Sequence, residues 1–280
     1  MRPRGVAPAG ARPSAPARLP ARLPALLPPL LPALLPPLLL ALLAGCGVTA
    51  DGDSSDAETL TVLAASSLTE TFGVLEADYE REHPGVDVRI SFDSSATLAG
   101  QAVEGAPADV LATADEATMA TAVDAGTTAT EPEVFATNTL VLVVPAGNPA
   151  GIGTFADLGQ EGVDYVACEE SAPCGALAQT LLEANRVQAA PRSFEVDVKA
   201  VLTKVELDEA DAGLVYRSDA VAAGEKVETF EIPRAAGQVN RYPIATLEQS
   251  RSPDLAQSWV ELVLSERGQS VLGDAGFGTP

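Results

Sequence analysis

The chain has 280 residues, 46% of them hydrophobic and 4% aromatic, with 39 acids against 17 Lys and Arg and a formal charge of −22 at pH 7. Such a surface repels nucleic acid and acidic membranes. The single histidine, His83, lies in the turn Glu82-His83-Pro84-Gly85, where solvent is expected, and no Gly-x-Ser-x-Gly elbow occurs, which argues against a serine hydrolase.

Residues 1–45 hold five arginines (Arg2, Arg4, Arg12, Arg18, Arg22), no acid, and an apolar run from Leu38 to Leu43. This is the pattern of a long secretory signal, and its repeated prolines disfavour a spanning helix. Its end, Leu43-Ala44-Gly45-Cys46, resembles the lipobox of bacterial lipoproteins. That resemblance implies cleavage before Cys46, lipid on its thiol and a place on the outer face of the cell membrane. The remaining chain keeps all 39 acids but 12 Lys and Arg, a charge of −27. It is long enough for one large or two small domains. With Cys46 lipidated, Cys168 and Cys174 remain, and an even pair in an exported chain suggests a disulfide worth about 2 kcal/mol. No histidine lies near them to complete a zinc site.

Residues 46–58 are a polar, acidic tether whose Asp51, Asp53 and Asp56 lack calcium-loop spacing, and the fold should begin near Thr59. Leu60 to Ala64 is strand-like; Leu68, Phe72, Leu75 and Tyr79 mark one face of a helix that stops at His83-Pro84-Gly85. A strand is expected over Val86 to Phe92, then a short helix to Gly105, a strand over Asp109 to Ala112 and a helix over Asp115 to Ala125. Val134 to Val144 reads as one long strand. Strands over Val163 to Ala167 and Ala212 to Tyr216 alternate with helices over Ala176 to Asn185 and Asp197 to Leu207. The closing helix starts at Ser252-Pro253, with Ser as cap, carries Trp259 in its core face and ends near Gly268. The βαβα rhythm calls for α/β architecture with parallel-dominated sheets.

Two strands run into Ser-rich turns, Ala64-Ala65-Ser66-Ser67-Leu68-Thr69 and Ser94-Ser95-Ala96-Thr97-Leu98-Ala99. A turn of this kind presents free backbone N–H groups, hydroxyls and the positive end of a helix dipole, which together hold an anion without a charged side chain. Screening over roughly 10 Å lets such local dipoles prevail over the −27 surface.

These turns, with Gly105-Ala106-Pro107-Ala108-Asp109-Val110, Asn138-Thr139-Leu140-Val141-Leu142-Val143-Val144-Pro145, Leu214-Val215-Tyr216-Arg217-Ser218-Asp219-Ala220 and Gly276-Phe277-Gly278, resemble the molybdate-binding proteins of bacterial ABC transporters. The resemblance runs in order over nearly all of 59–280. It implies a two-lobed periplasmic-binding-protein-like fold (type II). Lobe one would comprise 59–137 with 243–280, lobe two 138–242, with crossings near Asn138 and Tyr242 as the hinge. It also implies an oxyanion held by Ser67, Ser95, the backbone N–H groups of Cys174 and Val198, and the phenol of Tyr216. Cys174 departs from the family's small residue in the Pro-small-Gly turn. Lys199 is the nearest charge, and its helical position is expected to turn it away.

The expected function is therefore extracytoplasmic capture of molybdate, with tungstate alongside, and delivery to a permease, by a lipid-anchored monomer that is not an enzyme and carries no cofactor. Molybdate has no proton to donate at neutral pH, so its site should offer donors and no carboxylate acceptor. Sulfate, phosphate or another oxyanion remains the alternative ligand.

Overall fold

The computed structural model describes residues 57–280. The basic leader 1–45, the proposed lipidation at Cys46 and most of the tether 46–58 lie outside the described residues.

The chain opens with β1 (Glu58–Ala65), a tight 3-10 turn (Ser66–Leu68), α1 (Thr69–Glu82), β2 (Val86–Asp93) and α2 (Ser95–Val103). There follow β3 (Val110–Ala112), α3 (Glu116–Asp124), β4 (Glu133–Asn138), β5 (Leu140–Pro145), β6 (Tyr165–Cys168) and α4 (Pro173–Asn185). The remainder is β7 (Ser193–Glu195), α5 (Val198–Glu206), β8 (Ala212–Tyr216), α6 (Arg217–Ala223), β9 (Val227–Phe230), β10 (Asn240–Thr246), α7 (Pro253–Leu264) and α8 (Glu266–Asp274).

These strands form two five-stranded sheets, ordered β2-β1-β3-β10-β4 and β7-β6-β8-β5-β9. In each, a central strand (β1 or β6) pairs in parallel with both neighbours, and one strand (β10 or β5) pairs antiparallel with both of its own. Four strands of each sheet therefore point one way and one points back. The chain passes from the first sheet to the second at Thr139 and returns between Phe230 and Asn240. The architecture is α/β with helices packed on both sheets, as the alternation of elements predicts.

Phe72, Tyr79 and Trp259 meet edge to face between α1 and α7, with ring centroids 5.6 Å apart. Leu63, Leu98, Leu111 and Met119 build a separate core beneath α2 and α3. On the second sheet, α5 lies so close to β8 that a Cβ at Gly213 would stand 2.8 Å from Val205 and 2.9 Å from Val201. Only glycine lets the amphipathic face of α5 approach this far, and that fixes where its first turn falls.

Four expectations change. The run from Val134 to Val144 is two strands, because Thr139 carries the chain from one sheet to the other. Buried Asn138 holds this junction, donating to Ser218 Oγ at 2.9 Å and accepting from the Thr139 N–H. The closing helix is likewise two. Ser265 is extended at φ −67° and ψ 166°, and its hydroxyl caps α8 by accepting from the Gly268 N–H. Ser252 makes no side-chain cap; buried Asp109 anchors that turn, accepting from Ser250 Oγ at 2.7 Å and Arg251 N–H at 3.0 Å. His83 is half-buried and stacked on Tyr79 at 4.2 Å, a hydrophobic use of the ring that a turn motif does not advertise.

Candidate functional site

Strand ends from both sheets deliver helix N-termini to one small cavity. The first sheet contributes the turn after β1 (Ser66, Ser67) and the start of α2 (Ser94, Ser95); the second contributes the first turns of α4 (Pro173, Cys174) and α5 (Asp197, Val198) and the end of β8 (Tyr216). The space open to the centre of a water molecule is about 10 Å³, enough for roughly one water.

All five residues singled out from the sequence, Ser67, Ser95, Cys174, Val198 and Tyr216, line this cavity. Each is at least 96% buried, which makes their polar groups costly to leave unpaired. The N–H groups of Cys174 and Val198 belong to first helical turns, where no intrahelical acceptor exists, and neither has a backbone acceptor among the described residues. Ser67 Oγ lies 3.0 Å from the Tyr242 hydroxyl, and Ser95 Oγ accepts from the Ala114 N–H at 2.9 Å. Neither serine hydroxyl is used to cap its own helix. The Tyr216 phenol accepts from Asn240 Nδ2 at 2.7 Å, leaving its own proton to give. Burial pushes the Tyr216 pKa far up, outweighing the opposing hydrogen bond from Asn240, so the phenol stays protonated.

Cys168 and Cys174 are joined by a disulfide, which ties the end of β6 to the first turn of α4. Gly175 tightens the same turn: a Cβ there would lie 1.9 Å from the Glu169 carbonyl oxygen. The donor at Cys174 is thus held by a covalent bond on one side and by backbone contact on the other.

The cavity also holds groups that the motifs did not single out. Ser94 Oγ is buried with no hydrogen-bond partner, although Ser94 occupies the N-cap of α2. Ser66 sits beside Ser67 in the lining. The adjacent serines in each motif were the available signal, but one turn does not reveal which hydroxyl faces inward. Two aspartates that the motifs did not single out, Asp93 and Asp197, also border the cavity. One oxygen of each is engaged locally, accepting from Ser94 N–H at 2.6 Å and from Ala200 N–H at 3.0 Å.

Lys199 does not line the cavity. Its ammonium lies 2.7 and 2.8 Å from the two oxygens of Glu70 and 3.0 Å from Asp219 Oδ1, the last an ionic contact outside hydrogen-bond geometry. Burial opposes the charge on Lys199, but Asp219 and Glu70 outweigh it and its pKa shifts upward. Burial pushes the Asp219 carboxyl up to about 6 despite the pull of Lys199. Among the described residues no cluster of metal-ligating side chains occurs and no helix is long and apolar enough to cross a membrane.

Residues 60–278 match a family described as bacterial extracellular solute-binding protein. A relative from Mycobacterium tuberculosis, the molybdate-binding protein ModA, is 42% identical over 229 residues, covering 82% of this chain and 88% of its own. The periplasmic molybdate-binding protein of Azotobacter vinelandii superposes with a TM-score of 0.68 at 18% identity, covering 79% of this chain and 99% of that one. The sulfate-binding protein SubI of M. tuberculosis gives 0.69 at 18% identity, covering 79% and 86%. Two structures of this similarity and different named ligands share a fold. The match across almost the whole described region, together with a relative at this identity, establishes that the chain belongs to the bacterial extracellular solute-binding protein family.

Proposed function

We propose that this protein captures molybdate outside the cytoplasm and delivers it to an ABC permease, with tungstate as a second ligand of the same charge and shape. The observation that carries this reading is the convergence of helix N-termini from both sheets on one cavity, with an unpartnered buried hydroxyl at Ser94 in its wall. Donors of that kind suit a fully deprotonated tetrahedral dianion. The identity to the mycobacterial molybdate-binding protein supports the choice of ligand. The ligands are Ser67 and Ser95 through hydroxyl and N–H, Cys174 and Val198 through N–H, and Tyr216 through its phenol, with the Ser94 hydroxyl as a further donor. The protein catalyses no reaction and needs no cofactor.

The lining donors are almost fully buried, so the anion enters as the walls part. Residues 59–137 with 243–280 would move as one lobe and 138–242 as the other, turning about Asn138 and the strand near Tyr242. Lipid on Cys46 would keep the monomer at the outer face of the membrane. One observation favours a second reading. Asp93 and Asp197 offer acceptors that a protonated oxyanion such as phosphate would use.

Isothermal titration of residues 47–280 with molybdate, tungstate, sulfate and phosphate separates the two. Heat from the first pair alone is the expected result. Heat from phosphate or sulfate alone would keep the fold and replace the ligand.

A further inference from the structure

We propose that Glu70, Lys199 and Asp219 form an ionic tie across the cleft that slows release of the bound oxyanion, Lys199 and Asp219 being positioning residues and not ligands. This rests on the oxyanion reading above. Lys199 follows Val198 in the first turn of α5, so it moves with one of the proposed donors. Its partner Glu70 is on α1, in the first turn after Ser67 and Leu68. Among the described ion pairs, Lys199–Glu70 is the one that joins a helix on the first sheet to a helix on the second.

An exposed lysine gains little from such a pair, because ordering its long side chain offsets the attraction. Asp219 changes that balance. Its carboxylate has no exposed surface and is fixed in the first turn of α6 by accepting the Tyr216 N–H at 3.2 Å. With both partners in place Lys199 is 23% exposed, and Asp219 would keep it aimed across the cleft once Glu70 withdraws. Opening would separate Glu70 from Lys199 and leave Lys199 with Asp219, so no buried charge is stranded.

The tie makes a prediction opposite in sign to simple charge removal. Taking away the Glu70 charge near an anion site should favour anion binding by Coulomb's law alone. If the tie holds the closed state, the same change speeds release. Association should change less than twofold, because encounter occurs in an open state where the pair is already parted.

Stopped-flow competition on the mature protein, preloaded with molybdate, tests this with Glu70→Gln. The expected result is release two- to fivefold faster, association within twofold, and an unligated melting temperature unchanged. Glu70→Asp, one methylene shorter, should recover part of the slow release. Equal or slower release from Glu70→Gln would overturn the tie. If the wild-type protein binds no molybdate, the functional reading fails separately. The tie is then read without ligand from spin labels at Asp124→Cys and Glu225→Cys, both exposed sites. Loss of a minor short-distance population in Glu70→Gln supports it, and an unchanged distance distribution overturns it.

Discussion

Ser94 and Ser95 are neighbours with different hydrogen-bond roles, and the difference can be measured. Ser95 Oγ already accepts the Ala114 N–H, whereas Ser94 Oγ has no partner within the protein. Ser95→Ala should therefore cost stability in the unligated protein as well as about 1–3 kcal/mol of molybdate binding. Ser94→Ala should weaken binding by a similar amount while leaving unligated stability unchanged or slightly higher, because no internal bond is lost. Calorimetric titration beside urea unfolding separates the two effects. At this scale the sequence was readable where chemistry is local. Small hydroxyl residues after a strand announce donors, and Ser67, Ser95, Cys174, Val198 and Tyr216 all reach the cavity. Asp93 and Asp197 at its edge and the pairing of Lys199 with Glu70, 129 residues away, depend on contacts that no motif contains.

Among the elements, α6 carries the clearest pH signature. The Asp219 carboxyl rises from 3.8 to about 6 through burial, so the folded state favours its neutral form. A raised carboxyl pKa contributes stability that is complete below the unfolded value of 3.8 and is lost as pH rises through about 6. The loss is roughly 3 kcal/mol. Asp219→Asn stays neutral throughout, so wild-type stability relative to this variant should fall across that interval. Urea unfolding of both proteins over the same pH range checks it, and a flat difference would contradict the buried carboxylate. The junction at Thr139 shows why element boundaries were harder to read than element types. Val134 to Val144 has strand character throughout, and nothing in its periodicity marks the residue at which its partners change from one sheet to the other. The break between α7 and α8 was missed because both helices present apolar faces to the same core.

For the molecule as a whole, ligand and closure are linked by mass action. An anion that binds only the folded protein stabilises it by about 2.7 kcal/mol at one hundred times its dissociation constant. For a domain of this size that corresponds to a rise in melting temperature of about 5–10 °C. Differential scanning fluorimetry should show this rise with molybdate and tungstate and none with sulfate. Equal shifts with all three would mean that the cavity does not discriminate by size or by donor placement.

The sequence by itself determined the α/β alternation, the strongly acidic composition and the positions of the donor turns. Each is a local property of composition, spacing or backbone chemistry. Only the tertiary structure decided that these turns meet at one cavity. It also decided that Ser94 is left unpartnered there, that two aspartates border it, and that Lys199 spans from Asp219 to Glu70. Those facts follow from the chain crossing between the two sheets at Thr139 and again before Asn240, a long-range arrangement that a run of residues read in order cannot express.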